Sequence, residues 1–535
     1  MTHTAVLIVG AGPTGLTLAC ELARRGVDFR LIDKHGDAQR LTKAAALHAR
    51  ALEQFRDFGA ADPVIAEGRR VDVLWLRTGH RDRLGVDFRV LTGDTAFPHM
   101  IDLPQYRTEQ ILTERLGRLG AAPERRTVLR ALSARPGGVE AELEGPDGAE
   151  TVTADYVVGA DGVHSTVRDL VGLGFEGSAY ADPWVLCDAE IDWPLPRNEM
   201  TFSADTEGIY GVFPLPGART YRIAYTQRRT ASGEPTEPSL ADAQEAMSRS
   251  GIEGTVRSAG QFSTFSLAHK QAPHYRAGRV FLAGDAGHVH TPFGGQGLNL
   301  GVGDAVNLGW KLAEVCAGRA PLTLLDTYEI ERHRVARQVV SMTHLGAEAM
   351  LLRADPRRHL RDAVFGTLRR SRAARAFAAR RLSQLAHSYR GTGGAVEGSA
   401  GARLPDPELF DGVSGETARL HGLVSAERHT LVLTGERAGP LLRRAEELSS
   451  RLDRDWSAPV DTLVLTSDWR AANAGDDRVR IVLDREHRAA PLYRGGDRAY
   501  LVRPDRHTGY EGPADYERMK PYLRLVAASR AGVRA

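Results

Sequence analysis

Residues 4–33 constrain the fold of this chain more than any other stretch. Thr4-Ala-Val-Leu-Ile-Val9 is a short, unbroken apolar run of the kind a strand buried on both faces of a parallel sheet requires. Gly10-Ala-Gly-Pro-Thr-Gly15 comes directly after it. Leu16, Leu18, Ala19, Leu22 and Ala23 then recur at helical spacing up to a stop at Gly26. Val27–Ile32 predicts a second strand, with Asp33 and Lys34 at its end. Gly10 permits a tight turn, Gly12 lets a pyrophosphate approach the backbone, and Gly15 lets the helix lie close to the strand. The helix opening at Pro13 and Thr14 offers free N–H groups and the positive end of its dipole to phosphate. Asp33 stands where an adenosine ribose is expected, roughly 20 residues beyond the glycines. Strand, glycine turn, helix, strand and acidic residue together specify a dinucleotide site. They do not separate a flavin from a nicotinamide.

Composition removes several alternatives. The 535 residues suffice for three or four domains with large cores. Seventy basic residues face 68 acidic ones, a net charge of +2, so bulk charge gives no reason to expect nucleic-acid or membrane-surface binding. Cys20, Cys187 and Cys316 are far apart, which argues against a disulfide framework, a zinc site or a dithiol centre, and no metal is expected. No apolar run reaches the roughly 18–20 residues of a membrane span. The apolar start is too short for a signal segment, so a cytoplasmic protein is expected.

Two later glycine motifs extend the site. Val152–Ala160 reads as a strand running into Asp161-Gly-Val-His-Ser-Thr-Val-Arg168. Arg279–Ala283 is another short strand; it delivers Gly284-Asp-Ala-Gly-His288, then Pro292-Phe-Gly-Gly-Gln-Gly-Leu-Asn299 and a helix predicted over Val302–Cys316. Asp285 can accept hydrogen bonds from polyol hydroxyls. Backbone N–H groups of Gly294, Gly295, Gly297, Leu298 and Asn299 can face an electron-rich carbonyl.

In this order GAGPTG (10–15), GADGVHSTVR (159–168) and GDAGHVHTPFGGQGLNLGVGDAVNLGWKL (284–312), continued by Leu325–Arg332, resemble the para-hydroxybenzoate hydroxylase family of FAD-dependent aromatic monooxygenases. Thr42–Glu53 resembles its phenol, chlorophenol and polyketide hydroxylase branch. The resemblance implies an α/β fold: a Rossmann-like FAD-binding domain (residues 1–75, 100–180 and 270–350), an inserted substrate-binding β-sheet domain (76–99 and 181–269), a helical linker (351–398) and a thioredoxin-like C-terminal domain (399–535). It implies FAD as cofactor, NADPH or NADH as co-substrate, and O₂. The reaction would hydroxylate a phenolic or polyketide-derived small aromatic substrate through a flavin C4a-hydroperoxide. By motif, Gly10, Gly12 and Gly15 would hold the pyrophosphate, Asp33 the adenosine ribose and Arg50 the flavin side of the pyrophosphate, with Pro13, Thr14 and Lys34 also counted as cofactor-binding. Gln105, Asp161, Arg168 and Asp285 would also contact FAD, with Pro292 and the 294–299 backbone against the isoalloxazine ring. Pro292 is also counted with the catalytic groups.

The residue that activates the substrate is less legible. Alternation over Asp188–Thr226 predicts a sheet above the substrate, with Tyr210, Tyr221, Arg222 and Tyr225 as candidates for a phenolic oxygen. Some phenol hydroxylases carry an Asp near the position of Ala45, which leaves His48 and His99 as substitutes. Arg353–Arg381 predicts a helical linker with a solvated basic face rather than an anion site. Beyond it, apolar runs at 430–433, 462–465 and 479–483 alternate with helical patterns such as Leu441–Leu452, and this region holds no cysteine. A monomer or homodimer is expected. The alternatives are a reductase or oxidase of the same fold, or a non-catalytic flavoprotein partner in a biosynthetic complex.

Overall fold

The parallel sheet predicted at the N-terminus is present in the computed structural model. That structure describes residues 2–38, 44–78, 82–179, 183–204, 208–230, 232, 234–249, 253–291, 294–351, 371–392, 400–471, 478–493 and 496–529. Strands Val280–Leu282, Gly148–Gly159, Thr2–Val9, Phe29–Asp33 and Glu124–Arg125 lie side by side in parallel. Val6, Leu7 and Ile8 are all fully buried, so both faces of the central strand are covered, as its uninterrupted apolar run required. Register sets where the turns emerge: Val9 pairs with Gly159 and Ile32, and Gly159 pairs with Leu282. The strands thus stop level with one another, and the three glycine turns leave together along one carboxyl edge, where open parallel sheets bind ligands. Helix Pro13–Ala23 packs between Gln105–Arg118 and Gly297–Cys316.

A second, eight-stranded sheet runs Thr255–Ala259, Trp184–Asp192, Thr220–Thr226, Ile209–Pro214, Glu199–Ala204, Val73–Thr78 and Asp82–Asp87, with Ser263–Phe265 also on Trp184–Asp192. Its two faces belong to different cores. Val185, Cys187, Tyr210, Val212, Tyr221, Ile223 and Tyr225 pack under helix Leu240–Arg249. Trp184, Met200, Phe202, Phe213 and Ala224 join the core shared with the dinucleotide domain. A three-stranded sheet, Ala46–Leu47, Met100–Asp102 and Arg69–Val71, lies between the halves and aligns Ala46, Asp102 and Arg69.

Helix Asp326–Leu351 leads toward the basic linker. The described part of the linker is helix Arg372–Leu382, capped by the Ser371 hydroxyl on the Ala374 N–H at 3.2 Å; residues 352–370 lie outside the described residues. The C-terminal lobe is built on a seven-stranded mixed sheet, with His429–Gly435, Val460–Thr466 and Val479–Leu483 parallel at its centre. The predicted 441–452 helix extends over Ala438–Asp455. This lobe is joined to the rest by a buried ionic cluster. Arg503 donates to Glu331 Oε1 at 2.5 Å and to Asp505 Oδ2 at 2.6 Å, and Lys311 Nζ donates to Glu331 at 2.8 Å. Among the described residues no helix is long and apolar enough to cross a membrane.

Candidate functional site

The edge where the glycine turns meet is shaped by close approach. Gly10 adopts φ +105°, and a Cβ there would collide with the carbonyl of Ala160. Helix Pro13–Ala23 begins at Gly12 without a side-chain cap, and a Cβ at Gly12 would meet nothing within 4 Å, so the N–H groups of its first turn lie uncapped beside open space. Asp33 is fixed to this turn: its Oδ2 accepts from Ala11 N at 2.6 Å and its Oδ1 from His35 N at 2.8 Å, while Lys34 is exposed. Gln105, at the start of its helix, donates to Glu109 Oε1 at 2.8 Å. Burial pushes the Glu109 carboxyl up to about 7, against that hydrogen bond and nearby Arg125. Asp285 is exposed on the turn Gly284–Ala286. Gly284 (φ +62°) faces the first helix so closely that a Cβ would come 2.5 Å from Thr14 Oγ1. Thr14 thereby marks where the first and third glycine motifs touch.

The second motif has a structural role in this arrangement. Asp161 Oδ1 accepts from Ser165 Oγ at 2.5 Å and its Oδ2 from Val167 N at 3.1 Å, which closes the short helix Thr166–Leu170. Arg168 is buried and donates to the carbonyls of Ala286 (3.1 Å) and Val163 (3.0 Å), with Phe175 stacked on its guanidinium at 4.1 Å. It ties the second glycine turn to the third. Asp304 was missed by sequence reasoning. It receives Gly284 N (2.9 Å), His288 Nε2 (2.7 Å) and Arg332 Nε (2.6 Å), and so anchors the Asp285 turn to the long helix. Burial alone would raise its carboxyl; Arg332 and His288 outweigh that and hold it below its ordinary value. A charged residue inside the apolar 302–316 pattern was the available signal.

The third motif also differs in extent. Its helix runs Gly297–Cys316, five residues earlier than predicted, so Gly297, Leu298 and Asn299 form an uncapped first turn. Asn299 Nδ2 donates to the carbonyls of Ala46 and Gly295, both at 2.8 Å, and its Oδ1 accepts from His48 N at 2.7 Å. His48 Nε2 meets the Gly294 carbonyl at 2.7 Å, and burial lowers its pKa to about 4, which keeps it neutral at physiological pH. Gln296 reaches the Leu382 carbonyl at 2.8 Å. The glycine loop is therefore clamped on one side by residues 46–48 and on the other by the linker helix. Pro292 lies outside the described residues.

On the sheet side the tyrosine candidates need correction. Tyr210 and Tyr221 do not face the glycine loop; strand alternation turns them, with Tyr225, to the outer face under helix Leu240–Arg249. Tyr221 lies against Trp193 (5.3 Å between centroids) and under Arg197, and Tyr210 and Tyr225 line an outer cavity of about 300 Å³. Arg222, one residue out of phase, is on the inner face. It grips Asp188 bidentately (2.7 and 3.0 Å) and donates to the Ala44 carbonyl at 3.1 Å. Arg50 is buried, with its terminal nitrogens on Glu53 (3.0 Å) and the Asp505 carbonyl (2.5 Å). That placement commits them to protein partners and away from the pyrophosphate contact expected of Arg50. His99 is buried beside Phe97, and burial lowers its pKa to about 4. Asp102, which sequence reasoning passed over, is fully buried, and among the described residues neither carboxylate oxygen has a hydrogen-bond donor. Burial pushes it up to about 8, partly offset by Arg222.

Three turns on one edge, two of them uncapped helix starts, form an extended cradle suited to a dinucleotide with a second ring system at its far end. The sequence family described as the FAD binding domain matches residues 3–343. The chain belongs to this family. Its relatives are aromatic and polyketide monooxygenases, and the chain is accordingly an FAD-dependent aromatic monooxygenase. It is 38% identical over 367 residues to the 12-dehydrotetracycline 5-monooxygenase/anhydrotetracycline 6-monooxygenase of Streptomyces rimosus subsp. rimosus, covering 66% of this chain and 70% of the relative. Pentachlorophenol 4-monooxygenase of Sphingobium chlorophenolicum is 33% identical over 486 residues, or 89% and 88% of the two chains. Among solved structures, the OxyS anhydrotetracycline hydroxylase from Streptomyces rimosus superposes with a TM-score of 0.73 at 30% identity, over 98% of this chain and all of that one.

Proposed function

We propose that this monooxygenase uses NAD(P)H and O₂ to hydroxylate a phenolic or polyketide-derived aromatic compound held between the glycine loop and the inner face of the second sheet. One observation carries the reading: Arg222 of that sheet hydrogen-bonds the Ala44 carbonyl, next to the strand whose Ala46 carbonyl holds Asn299 of the glycine loop. The inner face of the sheet and the glycine loop are thereby adjacent. Trp184, Phe202 and Phe213 on the same inner face suit an aromatic ring. The tetracycline and chlorophenol relatives support a phenolic substrate.

The chemistry of the donor set fits FAD. Gly10 to Gly15 and Asp33 would hold its pyrophosphate and adenosine ribose, Asp285 and Gln105 the central chain, and the 294–299 backbone the isoalloxazine. When bound, FAD supplies hydride acceptance from NAD(P)H and activation of O₂. The protein's part is to aim the N–H groups of 297–299 at developing negative charge, to exclude water with the apolar inner face, and to orient the ring by Arg222. The cysteine-free lobe at 399–535 reads as thioredoxin-like and supportive. The test is a screen of phenols and aromatic polyketides against the purified, FAD-loaded protein. Substrate-stimulated NAD(P)H oxidation, O₂ uptake and a product heavier by one oxygen are expected. Reduction of substrate without O₂ uptake would replace this reading with a reductase.

A further inference from the structure

We propose that the carboxyl group of Asp102 takes the hydroxyl proton of the aromatic substrate, with Arg222 beside it holding the resulting phenolate. This assignment rests on the hydroxylase reading. Asp102 ends the strand Met100–Asp102 and pairs directly with Ala46, so both side chains leave the same face of the small sheet. That face looks to the glycine loop, because a Cβ on Gly295 would come 2.7 Å from the Cβ of Ala46. Arg222 approaches from the substrate sheet through its bond to the Ala44 carbonyl. Asp102 therefore stands where loop, small sheet and substrate sheet converge.

Among the described residues, none accounts for a carboxyl at this point. Asp102 is 0% exposed and neither oxygen is hydrogen-bonded there, whereas other buried carboxylates such as Asp304, Glu331 and Asp505 are each gripped by a cation. Unsatisfied buried carboxyls are costly, and groups kept at such cost cluster where function needs them. The charged group that bears on it is Arg222, whose own charge is already met by Asp188. Arg69, its register partner on the other side, is turned to the Arg197 carbonyl at 3.3 Å.

The step is a proton transfer that balances without a co-reactant. The phenolic O–H bond breaks, the proton bonds to an oxygen of ionised Asp102, and the electron pair stays on the phenolate, where it raises the nucleophilicity of the ring carbons. A phenol ionises near pH 10; an ordinary aspartate near 3.9 would take its proton against a factor of about a million. With Asp102 at about 8 the factor falls to about a hundred, and Arg222 next to the phenolate lowers it further.

The experiment uses the full-length, FAD-loaded protein with unsubstituted phenol as probe, which is still mostly protonated in solution at pH 9, comparing wild type, Asp102→Asn and Asp102→Glu. At pH 9, where most of Asp102 is ionised before binding, the bound probe's phenolate absorption is recorded together with the infrared band of protonated carboxyl groups. In wild type the two signals should rise together on binding. In Asp102→Asn the rise of the carboxyl band on binding should be missing and the ionised fraction of bound probe at least tenfold lower, with recovery in Asp102→Glu. A purely structural role would leave the bound probe's ionisation unchanged in variants that retain FAD. Equal ionisation in wild type and Asp102→Asn, or a wild-type carboxyl band that phenol leaves unmoved at pH 9, overturns the assignment. Should Asp102→Asn fail to fold, the wild-type band and Asp102→Glu still decide. Failure of the hydroxylase reading looks different: the wild type would take up no FAD, or no phenol would stimulate O₂ uptake.

Discussion

At the scale of single residues, Asp102 and Gly10 carry the sharpest consequences. Asp102 ionises near 3.9 in the unfolded chain but at about 8 when folded. Between those values the unfolded state has released a proton that the native state still holds, so stability falls as pH rises. Asp102→Asn should match wild type below pH 4 and melt several degrees higher at pH 8, as calorimetry across pH would show. A stabilising loss of a functional group is the expected signature of a site kept at a cost. Gly10→Ala acts oppositely. Its φ of +105° and the Ala160 carbonyl leave no room for a methyl group, so a loss of more than about 2 kcal/mol and failure to retain FAD are expected, read by urea unfolding and flavin absorbance.

At the scale of elements, the glycine loop depends on neighbours remote in sequence. Asn299 spans the Ala46 and Gly295 carbonyls and the His48 N–H, which pins the helix start to the small sheet. Asn299→Ala should cost about 1–3 kcal/mol and weaken FAD affinity about tenfold or more in a fluorescence titration. The Asp285 turn depends likewise on Asp304, which also receives His288 and Arg332. Asp304→Ala leaves Arg332 buried and uncompensated, so a loss of about 3–5 kcal/mol is expected, with flavin release on mild heating preceding global unfolding. The tyrosines of the second sheet make the complementary point. On a strand one residue's shift changes the face, and Arg222 points inward because Tyr221 and Ile223 fill the core behind.

At the scale of the whole molecule, the C-terminal lobe meets the rest of the chain across a shared apolar core, in which Leu431, Tyr522 and Val526 belong with Leu308 and Leu324, and through buried charges. Arg503, Glu331, Asp505 and Lys311 are essentially unexposed and form one cluster across the junction, and Arg403 grips Glu53, which also receives Thr95 at 2.7 Å. Glu53, Asp406 and His421 lie close enough to resemble a metal group, but the Glu53 carboxylate is already taken by arginines, which hold it well below the usual carboxylate range despite its burial. Removing Arg503 leaves the buried Glu331 and Asp505 carboxylates with Lys311, on Glu331, as the remaining cation of the cluster. Arg503→Leu should cost about 3–5 kcal/mol and split a single calorimetric transition into two, with little dependence on salt.

The sequence by itself determined the elements with local causes: the apolar strand into Gly10–Gly15, the Asp161 and Asp285 turns, and the apolar runs of the final lobe. Each is written within about 20 residues, where strand burial, helix periodicity and glycine turns leave a direct trace. The start of the 297–316 helix was not legible, because its first turn is held by contacts to Ala46 and His48. Neither was the direction of Tyr210 and Tyr221, since alternation names two faces without saying which is covered by a helix. Arg50 reads as a phosphate ligand until the fold brings Glu53 and the Asp505 carbonyl to it. Asp102 reads as an ordinary polar residue before Leu103-Pro104-Gln105. Only the tertiary structure closes the sheets around it and, among the described residues, supplies no hydrogen-bond partner, and that desolvation gives an unremarkable aspartate its chemistry.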